Sequence, residues 1–205
     1  MPEPQRRSAL DGRLAPGDVG AFGVGGPRVS FAERHNLAMM QIAAVVGDAD
    51  TVRATAARAG LMLPTAPNTT ESRNGVTALW LGPGRWLAVA LEAEPAALGH
   101  RLDGAFAEGA VAVFDVSHAR TVIRVSGAGT RDLLAKGCRL DLHPRVFRAG
   151  ACAQTNLGHF TVLLHCVDDS PTVDLYVARS YAVSFWEWLT EAAAEFGYRV
   201  VASPS

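Results

Sequence analysis

Apolar residues fall into short runs punctuated by glycine and proline, and from residue 37 onward the spacing switches repeatedly between strand and helix periods. Leu37–Val46 is the most apolar stretch. Gln41 interrupts it, and it is too short to span a membrane, so it predicts a buried strand. Over Asp50–Ala59, Val52, Ala56 and Ala59 share one helical face, with Asp48 or Asp50 as the cap and Gly60 as the stop. Pro64 to Asn74 is polar and reads as a loop. Val76–Leu81 and Trp86–Leu91 flank Gly82-Pro83-Gly84, which has the residues a hairpin turn requires. Pro95 at a first helical position opens a helix in which Leu98, Leu102 and Phe106 align, and Ala110–Val116 follows as a strand. The order β-α-β-β-α-β is ferredoxin-like.

The second half repeats much of that order. Thr121–Val125 is a strand, and Thr130–Lys136 is a helix stopped by Gly137. Cys152–Leu157 and Phe160–Val167 form a hairpin about Gly158, Val173–Ala178 is a strand, Tyr181–Phe196 is the longest helix, and Tyr198–Val201 closes the chain. The expected fold is α+β: an extended arm over residues 1–28, a first half over 29–118 and a second half over 119–205, forming one intertwined domain. The arm is read from its breakers, Pro16-Gly17 and Gly25-Gly26-Pro27. Such a segment suits wrapping around a neighbour.

The 205 residues are 49% apolar, enough for a substantial core. With 19 basic against 20 acidic residues, the summed field offers no general attraction to nucleic acid or anionic membrane. Lys136 is the single lysine, in a plain helix-end setting that gives no reason for Schiff-base chemistry. Cys138, Cys152 and Cys166 cannot all pair within one chain, and Met1 to Arg7 lacks the apolar core of a signal peptide. The expectation is a cytoplasmic protein with reduced thiols.

Candidate chemistry is sparse. Asp115, Ser117 and His118 are the residue types of a hydrolase triad, but a strand sends His118 away from the other two; Asp115 and Ser117 are expected to satisfy backbone groups where the strand turns. Ser126-Gly127-Ala128-Gly129-Thr130-Arg131-Asp132 sits where a dinucleotide fingerprint belongs, yet Asp132 takes the third glycine's place and would repel a pyrophosphate. His165-Cys166 is the only close pair of metal-ligating types, and a strand would separate their side chains. No metal site or catalytic residue is therefore expected. On the last helix Tyr181, Phe185, Leu189, Ala192 and Phe196 form an apolar stripe, while Trp188 falls with Ser184, Glu191 and Glu195 on the opposite face. Trp188, with Glu191 and Glu195, is a candidate interface anchor; the other reading is that a loop of the same chain, such as the arm, covers the ring.

Four phrases stand out together: Leu81-Gly82-Pro83-Gly84-Arg85-Trp86-Leu87, Asp115-Val116-Ser117-His118-Ala119-Arg120-Thr121, Asp141-Leu142-His143-Pro144-Arg145, and Arg179-Ser180-Tyr181-Ala182-Val183-Ser184-Phe185-Trp186-Glu187-Trp188-Leu189. In order and spacing they resemble the gamma subunit of heterotetrameric sarcosine oxidase, clearly from Val76 to Phe196 and loosely from Ser8 to Gly60. The resemblance implies a fold like the folate-binding domain of the glycine-cleavage aminomethyltransferase. It also implies a non-catalytic role in assembly with alpha, beta and delta subunits. Such a complex converts sarcosine, oxygen and water to glycine, hydrogen peroxide and formaldehyde or methylenetetrahydrofolate. FAD, FMN, NAD and tetrahydrofolate are then expected on the partners and none on this chain. In the aminomethyltransferase family a carboxylate of an Asp-Asp-Leu strand contacts folate. The similar strand here, Thr172-Val173-Asp174-Leu175-Tyr176-Val177, keeps one acid, so Asp174 with Arg179 nearby is the candidate remnant of that pocket. The alternative function is a stand-alone folate-binding protein or one-carbon transferase anchored on Asp174.

Overall fold

A computed structural model describes residues 7–20, 22–45, 49–91, 97–106 and 111–202. Residues 1–6 of the arm, Val46, Asp48, Pro95 and Ala110, to which the sequence assigned an arm, a strand end, a cap, a helix start and a strand start, lie outside that range.

The strands form two sheets. The first contains β3 (Leu37–Ala44), β4 (Thr70–Arg73), β5 (Val76–Gly82), β6 (Arg85–Leu91) and β7 (Val111–Asp115) in the spatial order β4-β5-β6-β3-β7. Helices α1 (Ala49–Arg58) and α2 (Ala97–Ala105) cover one face. Without β4 this is the expected β-α-β-β-α-β unit, its first and third strands central. The second sheet has seven strands, in the order β1-β12-β2-β8-β11-β10-β9. They are β1 (Gly17–Val19), β2 (Val29–Glu33), β8 (Arg120–Ser126), β9 (Cys152–Leu157), β10 (Phe160–Asp168), β11 (Thr172–Ala178) and β12 (Tyr198–Val200). Helices α3 (Thr130–Ala135) and α4 (Ala182–Ala193) cover its outer face. The order β10-β11-β8-β12 repeats the arrangement of the first sheet, with β2 inserted between β8 and β12.

That insertion corrects the division at residue 118. Val29–Glu33, expected in the first half, pairs antiparallel with β8 and parallel with β12 in the second sheet. Part of the arm follows it, since Gly17–Val19 pairs with β12 and the Asp18 carboxylate receives both a 2.5 Å and a 2.8 Å bond from Arg199. Upstream, Leu10 is fully buried in the α3–α4 core. The physical reason is the alternation in Val29-Ser30-Phe31-Ala32-Glu33, whose first, third and fifth side chains are buried. It gives the N-terminal chain a face to bury.

Period-two alternation sorts the core into layers. On β3, Ala38, Met40 and Ile42 meet α1 and α2, while Leu37 and Met39 face the other sheet. On β6, Trp86, Ala88 and Ala90 join the helix side, and Leu87 and Val89 the inter-sheet side. Val122, Cys152, Leu163 and Tyr176 come from the second sheet to meet them. The layers thus run helix, sheet, sheet, helix. Trp86 packs in the core, and its Nε1 donates to the Pro64 carbonyl at 2.9 Å.

The last helix is shorter than its sequence pattern suggested. A single 3-10 turn over Arg179–Tyr181 precedes α4 and another over Ala194–Phe196 follows it. Tyr181 therefore leaves the apolar stripe and is 57% exposed. Phe185 and Leu189 carry the stripe.

Candidate functional site

The strand that carries Asp174 also dictates its surroundings. Val173, Leu175 and Val177 point into the α3–α4 core, so Asp174 and Tyr176 point between the sheets. Register then places Arg124 of β8 and His165 of β10 directly opposite Asp174 on either side. A charge in that position requires a partner. Arg124 supplies a bidentate one, with Nε 2.7 Å and Nη2 2.9 Å from the two carboxylate oxygens, and Arg34 Nη1 stands 3.6 Å from the second oxygen. The bond to Asp174 raises the Arg124 pKa. Burial lowers that of His165, whose Nδ1 is enclosed without a hydrogen-bond partner among the described residues. Burial likewise raises the Tyr176 phenol and pushes the Cys152 thiol up to about 11.

Arg34, Arg124, His165, Asp174 and Tyr176 border an inter-sheet cleft of about 200 Å³, below the roughly 300–1,000 Å³ typical of pockets for larger organic ligands. The Asp174 carboxylate that a pterin would need is already held by arginine. The residues do not fit folate. Arg179 does not join Asp174. It lies beyond the end of β11, where its backbone N–H donates to the Ala119 carbonyl at 2.9 Å and its Nη2 to the Arg7 carbonyl at 2.7 Å. The sequence expected proximity along the strand, but Arg179 follows the end of β11 and lines a different cleft from Asp174.

The other candidate motifs are occupied by structure. Ser117 is buried and its Oγ accepts the Met39 N–H at 2.9 Å, while Asp115 accepts the Ser117 N–H at 2.8 Å. These are the expected backbone roles. Beside the glycine-rich turn, Arg28 pairs with Asp132 at 3.0 Å, and its carbonyl accepts the Gly129 N–H at 2.9 Å. His165 faces the inter-sheet cleft and Cys166 the opposite core, as alternation required. Among the described residues, no three His, Cys, Asp or Glu side chains gather where they can hold a metal ion. Among the same residues, no helix is long and apolar enough to cross a membrane.

Of the two readings of Trp188, packing against its own chain is the one its surroundings fit. Its ring lies parallel to that of Phe185, centroids 6.2 Å apart and planes 10° apart, and covers the backbone at Gly137 and Gly158. A methyl group at Gly137 would come within 2.6 Å of the indole, and one at Gly158 within 3.1 Å. The helical wheel of α4 does not contain this contact, because the end of α3 and the β9–β10 turn rise beside the helix. The chain itself covers part of the ring, by those turns rather than by the arm, and leaves Trp188 half-buried. Glu191 and Glu195 stay exposed, and Glu195 pairs with Lys136, which also donates to the Ala192 carbonyl and lies 4.7 Å over the Phe196 ring. Trp188→Ala is expected to lower stability by about 2 kcal/mol, part of the usual loss for a fully buried ring. Urea denaturation measures it, and an unchanged midpoint would return Trp188 to the surface.

The sarcosine oxidase, gamma subunit family matches residues 46–195. Two proteins named sarcosine oxidase subunit gamma resemble the chain. One, from Corynebacterium sp. (strain P-1), is 35% identical over 131 residues, covering 64% of this chain and 63% of that protein, just under two thirds of its length. The other, from Corynebacterium sp. (strain U-96), is 33% identical over 150 residues, covering 73% and 72%. Among solved structures, a chain of heterotetrameric sarcosine oxidase from Corynebacterium sp. U-96 in complex with pyrrole 2-carboxylate superposes at a TM-score of 0.80 with 30% identity. The match covers 98% of this chain and 99% of that one. Glycine cleavage system aminomethyltransferase T from Bartonella henselae superposes at 0.62 with 11% identity, covering 90% of this chain and 58% of that one, a likeness of fold alone.

Proposed function

Because the chain belongs to the sarcosine oxidase gamma subunit family, we propose that it serves as the gamma subunit of a heterotetrameric oxidase, where it supplies docking surface. The observation that carries this reading is the end-to-end superposition on a chain of such a heterotetramer. In this reading the partners are alpha, beta and delta subunits. The assembly turns sarcosine, oxygen and water into glycine, hydrogen peroxide and formaldehyde or methylenetetrahydrofolate. FAD, FMN, NAD and tetrahydrofolate reside on the partners.

The chemistry of the chain supports a structural role. The buried Asp174 is matched to arginine, and the hydroxyl of Ser117 accepts a backbone bond. Apolar side chains are left outward, among them Phe114 on strand β7 and Val146 in the loop that follows the Asp141-Leu142-His143 phrase. Those groups, with Glu191 and Glu195, are offered as docking positions.

Affinity capture of the tagged full chain from its own cells tests the proposal. Large flavin-containing chains and sarcosine-dependent peroxide production are expected in the eluate. Capture without flavin proteins, or turnover of sarcosine by the chain alone, overturns it.

A further inference from the structure

At the other mouth of the inter-sheet seam lies a second cleft, of about 250 Å³, between the N-terminal segment, the β2–β3 connection and the start of β8. Arginine dominates its lining: Arg7, Arg34, Arg120 and Arg179, with His35, against the single carboxylate of Glu33 among the described residues. Backbone bonds hold three of these arginines in place. Arg120 opens β8 on the same face as Val122 and Arg124, so strand alternation aims it between the sheets. The Arg179 N–H donates to the Ala119 carbonyl, and the Arg34 N–H to the Val122 carbonyl, both at 2.9 Å, which sets their side chains beside Arg120.

The charges do not balance. Asp174, behind the wall, is shared by Arg124 and Arg34. Glu33 is 5% exposed, takes the Ser8 hydroxyl at 2.7 and 2.6 Å from its two oxygens, and lies 3.6 Å from His35 Nε2. Five arginines therefore meet two carboxylates. Among the described residues no carboxylate stands within 4.0 Å of Arg7, Arg120 or Arg179. Burial lowers the pKa of Arg120, a cation held partly out of water with no carboxylate among the described residues to compensate it. Two of the four phrases that carry the family resemblance converge here, one through Ser117, Arg120 and Thr121 and the other through Arg179.

We propose that this cleft binds a carboxylate, clamped by Arg120 and Arg179. Guanidinium forks match the planar carboxylate in geometry and charge. Leu37, Met39 and Val122 supply apolar wall for the short carbon stem that a carboxylate brings and inorganic phosphate lacks. The volume suits an organic acid of a few carbons or an acidic side chain presented by another polypeptide, and excludes a dinucleotide.

Titration of the purified full chain with succinate at low ionic strength, followed by calorimetry and by thermal midpoint, tests the site. Succinate is expected to bind and raise the midpoint beyond the effect of sodium chloride at equal ionic strength. Arg120→Met is expected to weaken binding about tenfold while leaving the ligand-free midpoint unchanged or higher, because it removes an uncompensated charge. Arg179→Gln provides a second test should Arg120→Met misfold. A partner-borne carboxylate is indicated if succinate competes with assembly and Arg120→Met weakens it. A free acid is indicated if the assembled complex still binds succinate. No succinate effect beyond salt together with unaltered assembly of Arg120→Met, or binding indifferent to both substitutions, overturns the proposal.

Discussion

Gly127→Ala is expected to destabilise the protein by about 4 kcal/mol, the sum of backbone strain and an unrelievable contact. Gly127 has φ +104°, which an L side chain rarely adopts, and a methyl group there would sit 2.5 Å from the Arg28 carbonyl oxygen. The obstacle is backbone, so no rotamer change relieves it. Nor can Arg28 withdraw without loss, because the same carbonyl accepts the Gly129 N–H and the next residue, Val29, starts a strand inserted in the middle of the larger sheet. Gly25→Ala is the control, at an open site without positive φ, and is expected to change stability by less than about 0.5 kcal/mol. Urea denaturation of both variants decides the matter: a loss below about 1 kcal/mol in Gly127→Ala would mean that the turn opens readily. The result also bears on function, since glycines that resemble a nucleotide loop are spent on the approach of the chain's own backbone.

Wherever side chains had to face one core, their spacing announced it. β3, the β5–β6 hairpin and α1 end within two residues of their expected bounds, because Leu37 to Ala44 is apolar on both faces and Val52 and Ala56 share one helical face. β4 was hidden for the opposite reason. Thr70-Glu71-Ser72-Arg73 lies at a sheet edge, paired only with β5 and largely exposed, so it needs no alternation and reads as loop. β2 carries a proper alternating pattern, but it is only five residues long and its partners are nearly a hundred or more residues away, so neither its strand nor its place in the second sheet was legible. Such pairing leaves no local trace. The same limit applies to the sites. Asp174 was recognisable as an isolated acid in a strand, whereas its ion-pair partners, Arg124 and Arg34, come from β8 and the end of β2. For Trp188 the choice between partner and own chain was not legible, because a wheel projection holds one helix and omits the glycine turns beside it.

Asp174→Ala is expected to cost about 3 kcal/mol, because it leaves Arg124 and Arg34 facing each other at the inter-sheet seam without their shared anion. The Arg124 side chain is 31% exposed and Asp174 only 7%, so the arginines regain some water, which keeps the loss at the lower end for a broken buried pair. Arg124→Met is expected to cost a similar amount, leaving the buried carboxylate to Arg34 at 3.6 Å. The double replacement Asp174→Leu with Arg124→Met, which removes both charges and restores apolar volume, is expected to recover most of either loss, and so reveals strong coupling between the two sites. Denaturation midpoints for the parent, Asp174→Leu, Arg124→Met and the double variant measure that cycle. A carboxylate reserved for a ligand behaves in the reverse manner: its removal relieves a desolvated charge and leaves stability unchanged or raised. An Asp174→Ala protein as stable as its parent would therefore return Asp174 to the binding role, and a destabilised one assigns it to tying β11, β8 and the end of β2 together within the seven-stranded sheet.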